Sequence, residues 1–236
     1  MSTAPVAVAL DAPDVATAAR WAGAVAPHVS TLKLGLEFYL RSGADGVRAV
    51  TEQAPGCALF LDLKLHDIPT TVAGGARSVS DLAPRLLTVH ALGGAAMVAA
   101  AAEALPDTQI AAVTILTSLG ARDLDAMGLG DARSSVLRLA ELAVGAGARA
   151  LVCSPHEVAA VRAVVGSDVL LVTPGVRPRG ADLADQQRVA TPEQALADGA
   201  DLLVVGRPIT GARDPAAAAA AIAATCGSLP SADRSR

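Results

Sequence analysis

The chain has 236 residues, of which 52% are apolar, enough to fill one large α/β core. Nineteen basic against 23 acidic residues give a formal charge of −4, and only 2% of the side chains are aromatic. That balance supplies neither a phosphate-tracking basic surface nor base-stacking platforms, so no nucleic-acid partner is expected, whereas one small anion needs only two or three donors.

Short apolar strands are predicted at 6–10, 31–35, 58–64, 86–90, 109–114, 149–153, 169–173 and 202–206. Each is followed by a helical stretch, at 14–26, 37–53, 70–83, 94–104, 134–146, 155–165, 192–198 and 215–225. Eight βα alternations predict closure into a single-domain (β/α)8 TIM barrel. A doubly wound open sheet is the alternative, but no Gly-x-Gly-x-x-Gly turn follows the first strand. No Ser/Gly/Pro-rich linker divides the chain, so the barrel is expected over 1–227, with 228–236 a loose tail.

Cys57, Cys153 and Cys226 are odd in number and widely spaced, which predicts packing residues rather than a disulfide framework or a zinc site. The N-terminus carries no basic region followed by a hydrophobic stretch, and Gly, Glu or Pro interrupts the alanine-rich runs before they reach spanning length. A soluble, cytoplasmic protein with no membrane association is expected.

The most informative stretch is Ala58-Leu-Phe-Leu-Asp-Leu-Lys-Leu-His-Asp-Ile-Pro-Thr-Thr71. By the two-residue period of a strand, Leu59, Leu61, Leu63 and Leu65 share one face, leaving Ala58, Phe60, Asp62 and Lys64 on the other. Asp67 follows where the strand gives way to Ile68-Pro69, a dipeptide that resists pairing and suits the first turn of a helix. The same parity puts Asp11 at the end of strand one and Lys33 in strand two. Three strands thus aim charge at the barrel interior.

Parallel barrel strands converge on one mouth at their C-terminal ends, and Asp11, Lys33, Asp62, Lys64, His90, Thr117, Arg177 and Arg207 all fall there or just beyond. Lys33, Asp62, Lys64 and Asp67 would form a cluster with two charges of each sign, in which each ammonium has a carboxylate neighbour and Lys64 can act as an acid. A purely structural ion-pair network closing the barrel end is the competing account. The long stretch from Pro174 to Arg188 suits a lid over a bound anion, because Arg177 and Gln186 bracket it. Gly206 lets an anion approach backbone N–H groups, and Arg207 beside it can donate two parallel hydrogen bonds. His90 is read as a scaffold residue.

Asp62-Leu-Lys-Leu-His-Asp-Ile-Pro-Thr-Thr71 resembles the signature of the orotidine 5'-phosphate decarboxylase family. Further matches run in the family's order along 5–226: Asp11, Leu32-Lys-Leu-Gly35, Val89-His-Ala-Leu-Gly-Gly94, Leu116-Thr-Ser118, Thr173-Pro-Gly-Val-Arg177, Asp185-Gln186 before Arg188, and Val205-Gly-Arg-Pro-Ile209. The resemblance implies decarboxylation of orotidine 5'-phosphate to UMP, in pyrimidine biosynthesis, with no cofactor and no metal. Lys64 would be proton donor to pyrimidine C6 and Asp62 would sit beside the departing carboxylate. Lys33 would link the charged array to the ribose, and Asp11 would bind a ribose hydroxyl.

By the same resemblance Arg177, Gln186, Gly206 and Arg207 would grip phosphate, and Thr117, or Ser118 one residue on, would contact the pyrimidine or phosphate side. Asp67 and Thr71 would serve the neighbouring subunit's site, implying a homodimer. Two rival functions fit parts of the same pattern. One is a metal-dependent sugar-phosphate decarboxylase or aldolase barrel sharing Asp-x-Lys-x-x-Asp, against which Ile68-Pro69 speaks. The other is a noncatalytic phosphometabolite sensor on the same scaffold.

Overall fold

The computed structural model describes residues 3–177 and 190–227. Strands β1 (Ala4–Ala9), β2 (Val29–Gly35), β3 (Ala58–Leu65), β4 (Leu86–His90), β5 (Gln109–Val113), β6 (Ala150–Val152), β7 (Leu170–Thr173) and β8 (Leu202–Val205) pair in parallel, each with its sequence neighbour. β8 pairs with β1, so the sheet closes and leaves no edge. The tail at 228–236 and the stretch 178–189 lie outside the described residues.

Strand parity separates two apolar layers. Val6, Val8, Leu10, Leu32, Leu34, Leu59 and Leu61 belong to the large cluster between barrel and helices. Ala7, Phe60, Leu86, Ala111, Val172 and Leu202 form a second, smaller cluster inside the barrel. Phe60 is the bulky member of that inner layer and is 2% exposed. Burying a side chain of that size stabilises the fold by roughly 1.5–3 kcal/mol. The inner layer is the floor on which the polar strand ends stand.

The helices are α1 (Val15–Val25), α2 (Leu36–Thr51), α3 (Pro69–Ser78), α4 (Ala95–Ala104), α5 (Ala121–Ala126), α6 (Ala132–Gly145), α7 (Val158–Val165), α8 (Pro192–Ala197), α9 (Arg207–Thr210) and α10 (Pro215–Thr225). Their starts have local causes. Asp14, Asp131 and Asp214 each accept a hydrogen bond from an N–H of the first turn, at 2.7, 3.0 and 3.0 Å. Pro69 opens α3, as the Ile68-Pro69 dipeptide predicts.

Several details depart from the sequence reading. The stretch 37–53 is a helix kinked at Gly43, whose φ of 60° only glycine adopts without strain. The predicted helix 70–83 stops at Ser78 and finishes as a separate 3₁₀ turn, Ser80–Leu82, before Ala83 turns left-handed at φ 46°. Short helices α5 and α9 lie in stretches read as loops, too brief to carry a periodic signal. Cys153 and Cys226 are buried, but Cys57 is only half-buried.

Candidate active site

At the C-terminal mouth, β2 and β3 pair so that Gly35 lies opposite Asp62. The pairing brings the ammonium of Lys33 to 3.2 Å from Asp62 Oδ2 and 3.6 Å from Asp11 Oδ1. The Lys64 ammonium donates to the other oxygen, Asp62 Oδ1, at 2.7 Å. Within one chain the charged cluster is therefore Asp11, Lys33, Asp62 and Lys64, with Asp11 occupying the place the sequence reading gave to Asp67. Gly35 makes the room: a Cβ there would meet Asp11 Oδ1 at 3.2 Å and Lys33 Nζ at 3.4 Å.

Asp62 is mostly buried, and burial alone would push its carboxyl pKa up. The ammoniums of Lys33 and Lys64, with hydrogen bonds from Lys64 and Thr88, outweigh that and hold it below the ordinary aspartate value. The site thus keeps a carboxylate ionised where water is scarce. Lys64 is held unusually. Its backbone is left-handed at φ 49°, a region lysine rarely enters. Its N–H donates to the hydroxyl of Thr88 at 2.8 Å, and that hydroxyl donates to Asp62 Oδ1 at 3.0 Å.

Asp11, Lys33, Asp62 and Lys64 line a cavity of about 310 Å³, within the range of small-ligand pockets. Ala9, Phe60, Val113, Val152, Val172 and Val204 give it an apolar lining, and Arg177, Gly206 and Arg207, which follow β7 and β8, line it too. Thr117 lines the cavity and Ser118 does not, so the register left open by the sequence favours Thr117. Arg177 has a buried Nε with no hydrogen-bond partner among the described residues. Its backbone N–H donates to Ala190 O at 3.0 Å, beside a bridge between Val176 and Ala190. The two stems of the expected lid are therefore tied together. Gln186 lies outside the described residues.

Asp67 and Thr71 do not reach this cavity in their own chain. Asp67 accepts from the N–H of Ile68 at 2.6 Å and lines a shallow surface groove with His66, Ile68, Pro69, Leu92 and Gly93. Thr71 is exposed in the first turn of α3. His90, at the end of β4, packs its ring 5.5 Å from that of His66. Burial, with His66 and Lys64 nearby, lowers the His90 pKa against the opposing pull of Asp62, so its imidazole favours the neutral form.

Sequence reasoning missed Thr88. A threonine within an apolar strand reads as a β-former, and only its contacts with Asp62 and Lys64 distinguish it. Among the described residues no three His, Cys, Asp or Glu side chains are grouped to hold a metal ion, and no helix is long and apolar enough to cross a membrane.

The family model described as orotidine 5'-phosphate decarboxylase / HUMPS family matches residues 4–222. A protein of Thermobifida fusca named orotidine 5'-phosphate decarboxylase is 71% identical, over 94% of this chain and 95% of its own. One of that name from Frankia casuarinae is 60% identical, over 94% and 87%. The crystal structure of orotidine 5'-phosphate decarboxylase from Lactobacillus acidophilus superposes with a TM-score of 0.80 at 36% identity, covering 95% of this chain and 99% of the other. The match over nearly the whole barrel, together with a Lys/Asp array at its mouth, means that the chain belongs to the orotidine 5'-phosphate decarboxylase / HUMPS family.

Proposed function

We propose that this protein is a carboxy-lyase that converts orotidine 5'-phosphate to UMP and CO2, in de novo pyrimidine synthesis in the cytoplasm, using its own side chains and no cofactor. The observation that carries the reading is Asp62 held between Lys33 and Lys64 in a cavity that Arg177 and Arg207 also line. A nucleobase carboxylate would meet the first group and a phosphate the second.

When the C6–carboxylate bond breaks, CO2 leaves and the electron pair stays in a ring-plane orbital at C6, where the pyrimidine cannot delocalise it. The Lys64 ammonium stabilises that growing charge and then transfers a proton to C6, giving UMP. The neutral amine regains a proton from water. General acid catalysis alone supplies typically ~10²- to 10⁴-fold, so the rest must come from fixed charge and from binding energy realised in the transition state. Asp62, kept ionised by its lysines, repels the substrate carboxylate and fixes the ammonium of Lys64.

Lys33 connects Asp62 to Asp11, which supports a ribose hydroxyl as the ligand of that end. Arg177, Gln186, Gly206 and Arg207 take the phosphate, and Thr117 contacts the base or the phosphate side. Asp67 and Thr71 complete the cavity of the partner in a homodimer. Their exposure beside Ile68, an apolar side chain 63% exposed, supports that arrangement.

The test is direct. Purified protein mixed with orotidine 5'-phosphate should abolish the orotidylate absorbance and yield UMP at catalytic enzyme concentration. Tight UMP binding with no decay of that absorbance would instead make the protein a sensor.

A further inference from the structure

We propose that Thr88 is a positioning residue for Lys64, fixing where the ammonium stands without touching the substrate. The inference rests on the decarboxylase reading of the site. β3 and β4 pair at Leu61↔Leu87 and again at Leu65↔Val89. Residues 62, 63 and 64 therefore stand opposite the single residue 88, and the ladder between the two strands is interrupted where Asp62 and Lys64 sit.

The Thr88 side chain bridges the interruption. Its hydroxyl accepts the Lys64 backbone N–H at 2.8 Å and donates to Asp62 Oδ1 at 3.0 Å. The same Oδ1 accepts the Lys64 ammonium at 2.7 Å, which closes a ring from the lysine amide through threonine and aspartate back to the lysine side chain. Lys64 pays a conformational cost at φ 49°, and such a backbone persists only where its surroundings over-determine it. Thr88 is fully buried, so the hydroxyl acts on substrate only through Asp62 and Lys64. Remove it and the Lys64 amide loses its partner, the backbone relaxes, and the ammonium moves from the reacting carbon.

The experiment compares steady-state decarboxylation by wild type, Thr88→Val and Thr88→Ser, each with a circular dichroism spectrum and a melting curve. Misplacing a catalytic group by about 1 Å costs on the order of 10²-fold, so Thr88→Val should lose about 10- to 100-fold in kcat. Its KM should stay within about threefold, because no binding contact is lost. Thr88→Ser, which keeps the hydroxyl, should recover most of the lost kcat. In a Lys64→Ala background Thr88→Val should have no further effect on rate. A folded Thr88→Val with wild-type kcat overturns the proposal, as does a Thr88→Ser no better than the valine variant. If Thr88→Val does not fold, Thr88→Cys, with a weak donor and acceptor of similar size, carries the same expectations. Wild-type turnover is the separate control: its absence would refute the decarboxylase reading itself.

Discussion

Lys33 on β2 reaches diagonally to Asp62 on β3, two positions beyond its register partner Phe60, with Nζ 3.2 Å from Oδ2, the lysine side chain 9% and the aspartate 13% exposed. Against burial, which pushes the Asp62 carboxyl up, the charge of Lys33 is one of the causes that hold it low. Replacing it with the uncharged isostere in Lys33→Met should leave the aspartate paired by Lys64 alone and raise its pKa. We expect a loss of about 1–3 kcal/mol in urea unfolding, together with a large fall in kcat/KM for orotidylate.

Lys64→Ala removes the proposed proton donor while leaving Lys33 to neutralise Asp62. Turnover should fall by at least about 10³-fold, since acid catalysis and the fixed positive charge are lost together. The far-ultraviolet spectrum should not change. Near-normal turnover by this variant would end the assignment.

A divalent cation would meet two ammoniums wherever it approached the Asp62 carboxylate, because Lys33 engages one oxygen and Lys64 the other. Protein dialysed exhaustively against EDTA should keep its full rate, and added Mg²⁺ should not increase it. Loss on chelation with recovery on Mg²⁺ would favour the metal-dependent sugar-phosphate chemistry.

His90 has a folded pKa below its ordinary value, first because of burial and then because of His66 and Lys64. The unfolded chain therefore takes up this proton first as pH falls, starting near about 6.5. Stability from the neutral imidazole is fully present above that pH and is lost as pH falls toward the folded pKa. Asp62, also depressed, contributes in the same direction but in a lower window, beginning near about 3.9. Urea midpoints measured at pH 7.5 and 5.5 should fall in the wild type and change less in His90→Gln.

Gly35→Ala tests the crowding between Asp11 and Lys33. The added methyl would stand 3.2 Å from Asp11 Oδ1 and 3.4 Å from Lys33 Nζ, so the loosely held Asp11 should be displaced. The φ of −89° suits alanine, so backbone strain does not enter. KM for orotidylate should rise roughly tenfold, the scale of one hydrogen bond to a charged group. Melting should change little, because the Asp11 side chain is 64% exposed.

The barrel was legible because strand parity is a simple code. Leu59, Leu61 and Leu63 turn outward and Phe60 inward, as a period of two requires. Parity also carried Lys33, Asp62 and Lys64 to the mouth. It failed to show how Lys64 is held, since nothing in the letters reveals a left-handed lysine or a two-residue slip against β4. Asp11 joins Lys33 through space that only the missing Cβ of Gly35 provides, a relationship between two strands that neither displays alone. The place of Asp67 in the cluster was read from sequence proximity to Lys64. Within its own chain Asp67 accepts from the amide of Ile68 and lines a separate surface groove, so any part it takes in a charged array is in a partner's site, which proximity along the sequence does not display.

The φ of 49° at Lys64 sets the chemistry proposed for this side chain against the comfort of its backbone. Glycine there would relieve the backbone, so Lys64→Gly should melt at or above the wild-type temperature while turning over nothing. A screen for heat resistance alone would drift toward discarding this lysine, and only a selection that also demands product would retain it.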